Sequence, residues 1–452
     1  MSRRGARPDA APLAAALAVS VVLVALAYGM NHTSYKVWGG VWVAPVLLGL
    51  SLPVASRAAR RDGDDIGRIV LLGAVVKVIA APALRYWMAF GLYGGSTDAI
   101  DYHNAGQLLA PLFRHGIYSD LGKISGTRFV EILAGQVYAL TGPTLLGGFM
   151  VFSWLSFLGV YLFYRAFRTA YPDGDGRRYA VLVFFFPTLL FWPSSMGKEA
   201  FMILTLGAAA LGAAQLLSGR FRGVVWLALG MWGAAIVRPH MALIVGAGLV
   251  VAAPLGVLAG SAESRRRLRG RLGGVVLVVA MLLAGPTLIG VAEKFFGLQS
   301  LNSATAQDVL DETTRRSGET GSTFTAISPG TPVGFALSGV TVLFRPFPFE
   351  VRNAQALLTS LEGLSLLALC GLSLRRLARL PLTLLRRPYV AFGVVYTCAF
   401  IYAFSSVVNF GILARERSQL LPMLFVVLCI PRPVTLDRPG RRTVSRVRQY
   451  VR

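Results

Sequence analysis

Long runs without a charged residue dominate this sequence, each near the roughly 20 residues that a helix needs to cross a bilayer. A backbone in lipid must satisfy its own hydrogen bonds, so runs of this length and composition fold as helices. Twelve such spans are expected, at about 11–30, 36–56, 69–93, 144–164, 179–196, 199–218, 223–238, 241–260, 273–292, 354–374, 389–412 and 416–431. A further apolar stretch, 332–344, is short and ends at Arg345, which fits a re-entrant or interfacial segment. The first run follows a basic start, as in a signal peptide, but further spans follow at once and it reads as a retained helix. The expected fold class is an all-α polytopic membrane protein, with interfacial helices in its first large outer loop. Charged residues make up only 15% of the chain, against about 25% in ordinary soluble domains.

The net charge of +24 would suit nucleic acid. The basic residues instead lie in short segments between apolar runs, so no nucleic-acid partner is expected. With both termini cytoplasmic, roughly two thirds of the 45 basic residues fall on the cytoplasmic side, as the positive-inside rule requires. The tightest clusters, at 57–68, 265–271 and 375–387, read as topology signals and contacts with membrane lipids. All three cysteines, Cys370, Cys398 and Cys429, lie in apolar stretches, so neither a disulfide framework nor a thiolate metal site is expected.

This layout divides the chain into two N-terminal helices (1–66), a transmembrane core (67–292) with an acidic outer loop (94–143), a second outer loop (293–353), C-terminal helices (354–431) and a basic tail (432–452). No Gly-rich phosphate loop follows a strand, so no nucleotide-binding domain is expected. Chemistry is confined to the membrane surface. The outer side collects His32, His103, His115 and His240 with Asp98, Asp101, Glu199, Glu350 and Glu416.

Several of these residues are candidates. Ser96 or Thr97 can cap a helix with an apolar stripe of Ala105, Leu108, Leu109, Leu112 and Phe113. Asp98 and Asp101 then share its first turn, where two carboxylates can take a proton from a hydroxyl, hold a divalent cation such as Mg or Mn, or simply complement the helix dipole. A second interfacial helix is expected at 127–140. Lys198 and Glu199 sit at a tight turn between two apolar spans, where charges are paired or functional. Arg238-Pro239-His240, Arg415-Glu416-Arg417 and the segment from Arg345 to Arg352 add three basic groups on the same side. Arginine forks suit phosphate oxygens, and singly each group could equally be a snorkelling anchor. Residues 298–330 read as a mobile loop, either a lid or disordered. Lys77 is an intramembrane charge whose partner the sequence does not name; Arg85 is near enough the outer end of its span to snorkel.

The order of these motifs resembles the GT-C superfamily of membrane glycosyltransferases, which includes the protein O-mannosyltransferases and the aminoarabinose transferases of lipid A. The resemblance rests on Asp98, Asp101 and Tyr102, then Gly116-Ile117-Tyr118, the 127–140 helix leading to Gly142, the Phe186-Pro187 turn ending at Glu199, Arg238-Pro239, and the Arg-rich turn from Arg415 to Pro422. It covers about 67–260 well and the rest loosely. Two spans precede the acidic loop where the protein mannosyltransferases have one, and no large soluble domain is present.

The resemblance implies a sugar donor linked to polyprenyl phosphate, a glycan, lipid or protein acceptor, and an active site on the outer face of a bacterial cell (inner) membrane. It also implies that Asp98 or Asp101 acts as base or metal ligand. Arg238, Arg415 and Arg417, with Lys198 and His240, would hold the carrier phosphate, and inverting displacement is expected. Glu199, His103, Tyr102, Arg345, Arg352 and Lys77 are further candidates. Two alternatives remain: a polysaccharide polymerase or ligase relying on outer-loop arginines, and a transporter or flippase of a lipid-linked anion.

Overall fold

A computed structural model describes residues 10–32, 34–92, 94–95, 97–119, 121–258, 264–296, 303–318 and 323–431. The proposed cap Ser96, part of the 298–330 loop and the 432–452 tail lie outside them. The described residues are helical, and their only β pairing is one bridge between Thr323 and Asn409. Among the described residues, six helices are long and apolar enough to cross a membrane: Tyr35–Asp62, Asp64–Leu92, Leu145–Ala170, Lys198–Leu217, Pro239–Leu258 and Gln355–Leu372. A seventh is reached if Leu380–Arg386 and Pro388–Phe404, which meet at a bend of 117°, form one span. The chain is thus an all-α membrane protein of multi-pass type.

Several of the expected spans are broken, short or charged among the described residues. Pro187 lacks the N–H that would continue a helix and drives its predecessor to extended geometry. Phe186 accordingly sits at φ −66°, ψ 130°, splitting the expected 179–196 span into Gly176–Phe185 and Pro187–Phe191. Gly223–Val237 is only 15 residues long. Phe410–Leu428 carries Arg415, Glu416 and Arg417 in its second turn. Breaks and charges of this kind shorten the apolar length while placing polar groups inside the bundle.

The core is built on close helix crossings. A Cβ on Gly159 would stand 2.4 Å from the Ile203 carbonyl oxygen, and one on Gly207 2.3 Å from that of Gly159. Only glycine allows the Leu145–Ala170 and Lys198–Leu217 helices to approach this closely, as membrane helices do at small-residue seams. Around that seam Phe157, Phe163, Tyr164 and Phe167 are fully buried. Leu50, Leu72, Val225, Trp232 and Leu361 point outward and exposed, as side chains facing lipid do.

In the first loop, Asp98–Arg114 and Thr127–Thr141 pack as a pair, the second close to its expected limits. The apolar stripe expected on the first is split between a buried and an exposed face. Tyr102, His103, Gly106, Leu109, Ala110 and Phe113 are buried, whereas Leu108 and Leu112 are 76% and 42% exposed. Gly106 and Gly135 permit the close approach that selects this face. Thr97 occupies the cap position without a side-chain cap bond. Within the loop expected to be mobile, Ser303–Gly318 is a helix docked beneath the start of the Phe410 helix. Thr314 Oγ1 donates to the Ser406 carbonyl at 3.0 Å, and the Val408 N–H donates to Ser317 Oγ at 3.1 Å.

Candidate functional site

Three sequence-distant turns bring their charges together. Pro239 starts a helix and forbids helical geometry in the residue before it. Arg238 therefore leaves the Gly223–Val237 helix at φ −145°, ψ 85°. Its guanidinium enters between two carboxylates: Nη2 donates to Glu199 Oε1 at 2.9 Å, and Nη1 donates to Glu416. Glu199 stands in the first turn of the Lys198–Leu217 helix, where the macrodipole favours an acid. Glu416 is further held by Gln419 Nε2 at 2.6 Å. Asn409 caps the Phe410 helix by accepting the Gly411 and Ile412 N–H groups, which sets the register of Arg415 and Glu416.

Arg415 extends the chain of charges outward. Its Nε lies 3.2 Å from Glu199 Oε1, and its Nη1 donates to Asp98 Oδ2 at 2.8 Å. Arg238, Glu199 and Glu416 are buried, whereas the Asp98 side chain is 70% exposed. The ladder runs from a buried core, one guanidinium between two carboxylates, to an accessible carboxylate. Asp101 shares the first turn with Asp98 but is exposed and lies outside the cleft that Asp98 lines.

That cleft, of about 770 Å³, is walled by Thr97, Asp98, Tyr102, Lys198, Glu199, Arg415, Arg85 and Trp192, among others. Thr97 Oγ1 is buried against it with no hydrogen-bond partner among the described residues. The Tyr102 phenol is pushed up to about 12, first by burial and then by the negative charges of Glu199 and Asp98, so it faces the cleft as a neutral hydroxyl. Arg85 lies over the rings of Phe191 and Trp192, at 4.5 and 5.1 Å from their centroids. Trp192 also lines a second space, an apolar groove of about 1060 Å³ between Ala80, Ala81, Leu84 and Met88 on one side and Leu358, Leu361 and Glu362 on the other. Glu362 accepts from Thr188 Oγ1 at 2.8 Å there. Polar cleft and apolar groove therefore share one aromatic wall. Nothing in the sequence pattern marks this junction, because Trp192 and Arg85 meet only through packing of the broken Pro187 segment on the Asp64–Leu92 helix.

The remaining candidates lie elsewhere. Arg417 is buried and donates to the Val342 and Arg345 carbonyls, closing the end of the 332–344 helix. Arg345 pairs with Glu350 at 2.5 Å and stacks over Phe324 at 4.4 Å, and Arg352 is exposed beyond it. His103 is buried 2.7 Å from the Tyr138 hydroxyl, tying the two loop helices together, with its pKa lowered by burial and by Lys36. His240 lies edge-on to Phe404, centroids 5.8 Å apart. Lys77 acquires partners: its Nζ donates to Ser156 Oγ at 2.9 Å and to the Leu189 carbonyl.

No three His, Cys, Asp or Glu side chains among the described residues converge as a metal site would require. The two carboxylates lining the cleft are already engaged, Asp98 by Arg415 and Glu199 by Arg238 and Arg415, so the donor set does not fit a tightly held divalent cation. Comparison with protein-family models, with curated proteins and with solved structures finds no match to this chain.

Proposed function

We propose that this protein is a membrane glycosyltransferase that moves a sugar from a polyprenyl-phosphate-linked donor to an acceptor hydroxyl at the non-cytoplasmic face. One observation carries the reading: a charged cleft bearing an accessible carboxylate adjoins, with Trp192 as the shared wall, an apolar groove lined in part by helices long and apolar enough to cross a membrane. An amphiphile with an anionic head and a long apolar tail is the ligand such a pair of spaces fits. With Arg85, Lys198, Arg238 and Arg415 against Asp98, Glu199 and Glu416, the cluster carries one more cation than carboxylates when all are ionised, which favours an anion.

The chemistry follows from the placement. Asp98 takes the proton of the acceptor hydroxyl as its oxygen forms the bond to the anomeric carbon. The bond from that carbon to the phosphate oxygen breaks, and its electron pair leaves with the phosphate, stabilised by the cations of the cleft. Arg415 fixes the Asp98 rotamer, and the Thr97 and Tyr102 hydroxyls can receive the sugar. Arg238 and Arg417 act behind this surface, positioning Glu199, Glu416 and the 332–344 helix, while Lys198 and Arg415 face the cleft. Inverting displacement, the bacterial inner membrane and the orientation of the termini are proposed with this reading.

Glu362, inside the Gln355–Leu372 span and facing the groove, favours a second reading, a flippase of a lipid-linked anion. Reconstitution of the full chain in liposomes with a labelled polyprenyl-phosphate sugar and a mixture of glycan, lipid and peptide acceptors separates the two. A new glycosidic bond that depends on Asp98 supports transfer. Movement of the labelled lipid between leaflets without any new bond would establish transport instead.

A further inference from the structure

We propose that a second site, at the opposite end of the Asp64–Leu92 helix from the cleft, binds the phosphate headgroup of an anionic membrane lipid. It goes beyond the transfer reading and does not depend on it.

Three segments distant in sequence meet at this end: the last turn of Tyr35–Asp62, the last two turns of Leu145–Ala170, and the turn between Lys198–Leu217 and Gly223–Val237. They bring Arg61, Arg165, Arg220 and Arg222 around one basin of about 1100 Å³, and no acid lines it. The turn is a built element. Gly219, at φ 74°, ends its helix, and the Arg220 N–H returns to the Gln215 carbonyl at 2.7 Å. Gly212 and Gly223 let the two helices touch, since a Cβ on Gly223 would stand 2.5 Å from the Gly212 carbonyl oxygen.

Four guanidinium groups around one basin repel each other. None of the four side chains makes a hydrogen bond or an ion pair among the described residues. Asp62, next to Arg61, is turned to Arg168 at 3.1 Å. Arg222 also stands at the N-cap of Gly223–Val237, where the helix dipole adds positive potential instead of relieving it. A phosphate supplies the acceptors that these groups lack, two oxygens to each fork.

The rim favours a lipid as the source of that phosphate. Phe221 lines the basin and is exposed, and Val225, Leu229 and Trp232 continue its line down Gly223–Val237 at helical spacing, all exposed. A headgroup seated among the arginines lays its acyl chains along this stripe, whereas a soluble anion leaves it unused. The distribution of basic residues assigns this end to the cytoplasmic leaflet, where basic pockets meet anionic lipid.

The test uses the full-length chain in dodecyl maltoside, with phosphatidylglycerol and phosphatidylcholine of matched acyl chains as probes and bound lipid counted by native mass spectrometry. The wild type should prefer phosphatidylglycerol by about tenfold or more. Arg165→Gln with Arg222→Gln should lower that preference at least roughly fivefold. Arg177→Gln with Arg375→Gln removes the same charge from exposed positions outside the basin and should keep it. Should the first pair not fold, the exposed Arg222→Gln alone replaces it, with a loss of about twofold or more expected. A folded basin variant with the wild-type preference, an equal loss in the control pair, or a wild type that does not distinguish the lipids overturns the site. Glycerol 3-phosphate at the concentration of the lipid should displace none of it. Full displacement would make the ligand a soluble phosphate and overturn the lipid assignment.

Discussion

Arg415 Nη1 donates to Asp98 Oδ2 at 2.8 Å, joining the second turn of the Phe410 helix to the first turn of the loop helix across 317 positions of sequence. The carboxylate is held by one oxygen on its buried side while the side chain stays 70% exposed. A general base needs this combination of fixed orientation and access. Asp98→Asn keeps the shape and removes the proton acceptor, so transfer activity should fall about a hundredfold or more. Asp101, outside the cleft, should tolerate the same change with near wild-type activity. Parallel assays of the two variants with the labelled lipid donor check the assignment; equal losses, or none in either, would contradict it.

Arg238 is the structural centre of the cluster. Removing one partner of a buried ion network leaves uncompensated charge, at a cost of about 3–5 kcal/mol, whereas removing all of it is far cheaper. Arg238→Met should therefore lower the melting temperature sharply, because Glu199 and Glu416 lose the guanidinium between them and then share Arg415 at 3.2 and 3.9 Å. The triple variant Arg238→Met, Glu199→Gln, Glu416→Gln should recover much of that loss. Thermal unfolding of the four proteins (wild type, Arg238→Met, the double Gln variant and the triple) measures the coupling. A triple variant no more stable than Arg238→Met would show that packing rather than charge holds the turn.

Much of this arrangement is local and was legible in advance. Uncharged runs give the long helices, the 127–140 periodicity gives the second loop helix nearly to its ends, and Pro239 dictates the turn that projects Arg238. What periodicity cannot show is which turns meet. Glu416 counts as one more acid in an Arg-rich turn until the Phe410 helix is packed, and only then does it become the second counter-charge of Arg238. Asp98 and Asp101 are separated for a related reason: neighbours three apart in a helix point some 60° apart, and of the two only Asp98 lines the cleft. Leu108 and Leu112 part from Leu109 and Phe113, with which the spacing groups them in one stripe, because Gly106 and Gly135 bring the Leu109 and Phe113 side against Thr127–Thr141, and an outward leucine is stable at a membrane interface.

Tyr102 offers a pH test. Its phenol, pushed up to about 12 by burial and by Glu199 and Asp98, is neutral in the folded protein where the unfolded chain ionises near 10.0. A raised phenol pKa contributes stability that is fully present below the unfolded value and is lost as pH rises through the folded one. The stability difference between wild type and Tyr102→Phe should thus be constant up to about pH 10 and shrink between about 10 and 12. Other buried tyrosines affect both proteins alike and cancel. Chemical unfolding of the pair at a series of alkaline pH values measures the difference, and a flat profile would mean that Tyr102 is solvated.

Lys77 answers a defect made by the chain itself. In a continuous helix the Leu189 carbonyl would accept the N–H of residue 193, but that residue is proline and has none. The Lys77 ammonium donates to this carbonyl instead, and also to Ser156 Oγ at 2.9 Å, while Ser153 Oγ donates to the Lys77 carbonyl at 2.5 Å and touches Ser194 Oγ at 2.9 Å. The network pins the broken Pro187 segment, after which Trp192 and residues 195–199 wall the cleft. Lys77→Met should leave the carbonyl unpaired and destabilise the protein by about 1–3 kcal/mol. Pro193→Ala supplies an N–H in the chain, so the double variant should be less destabilised than Lys77→Met alone. A double variant that merely adds two losses would show that Lys77 holds the segment through Ser156 rather than through the Leu189 carbonyl.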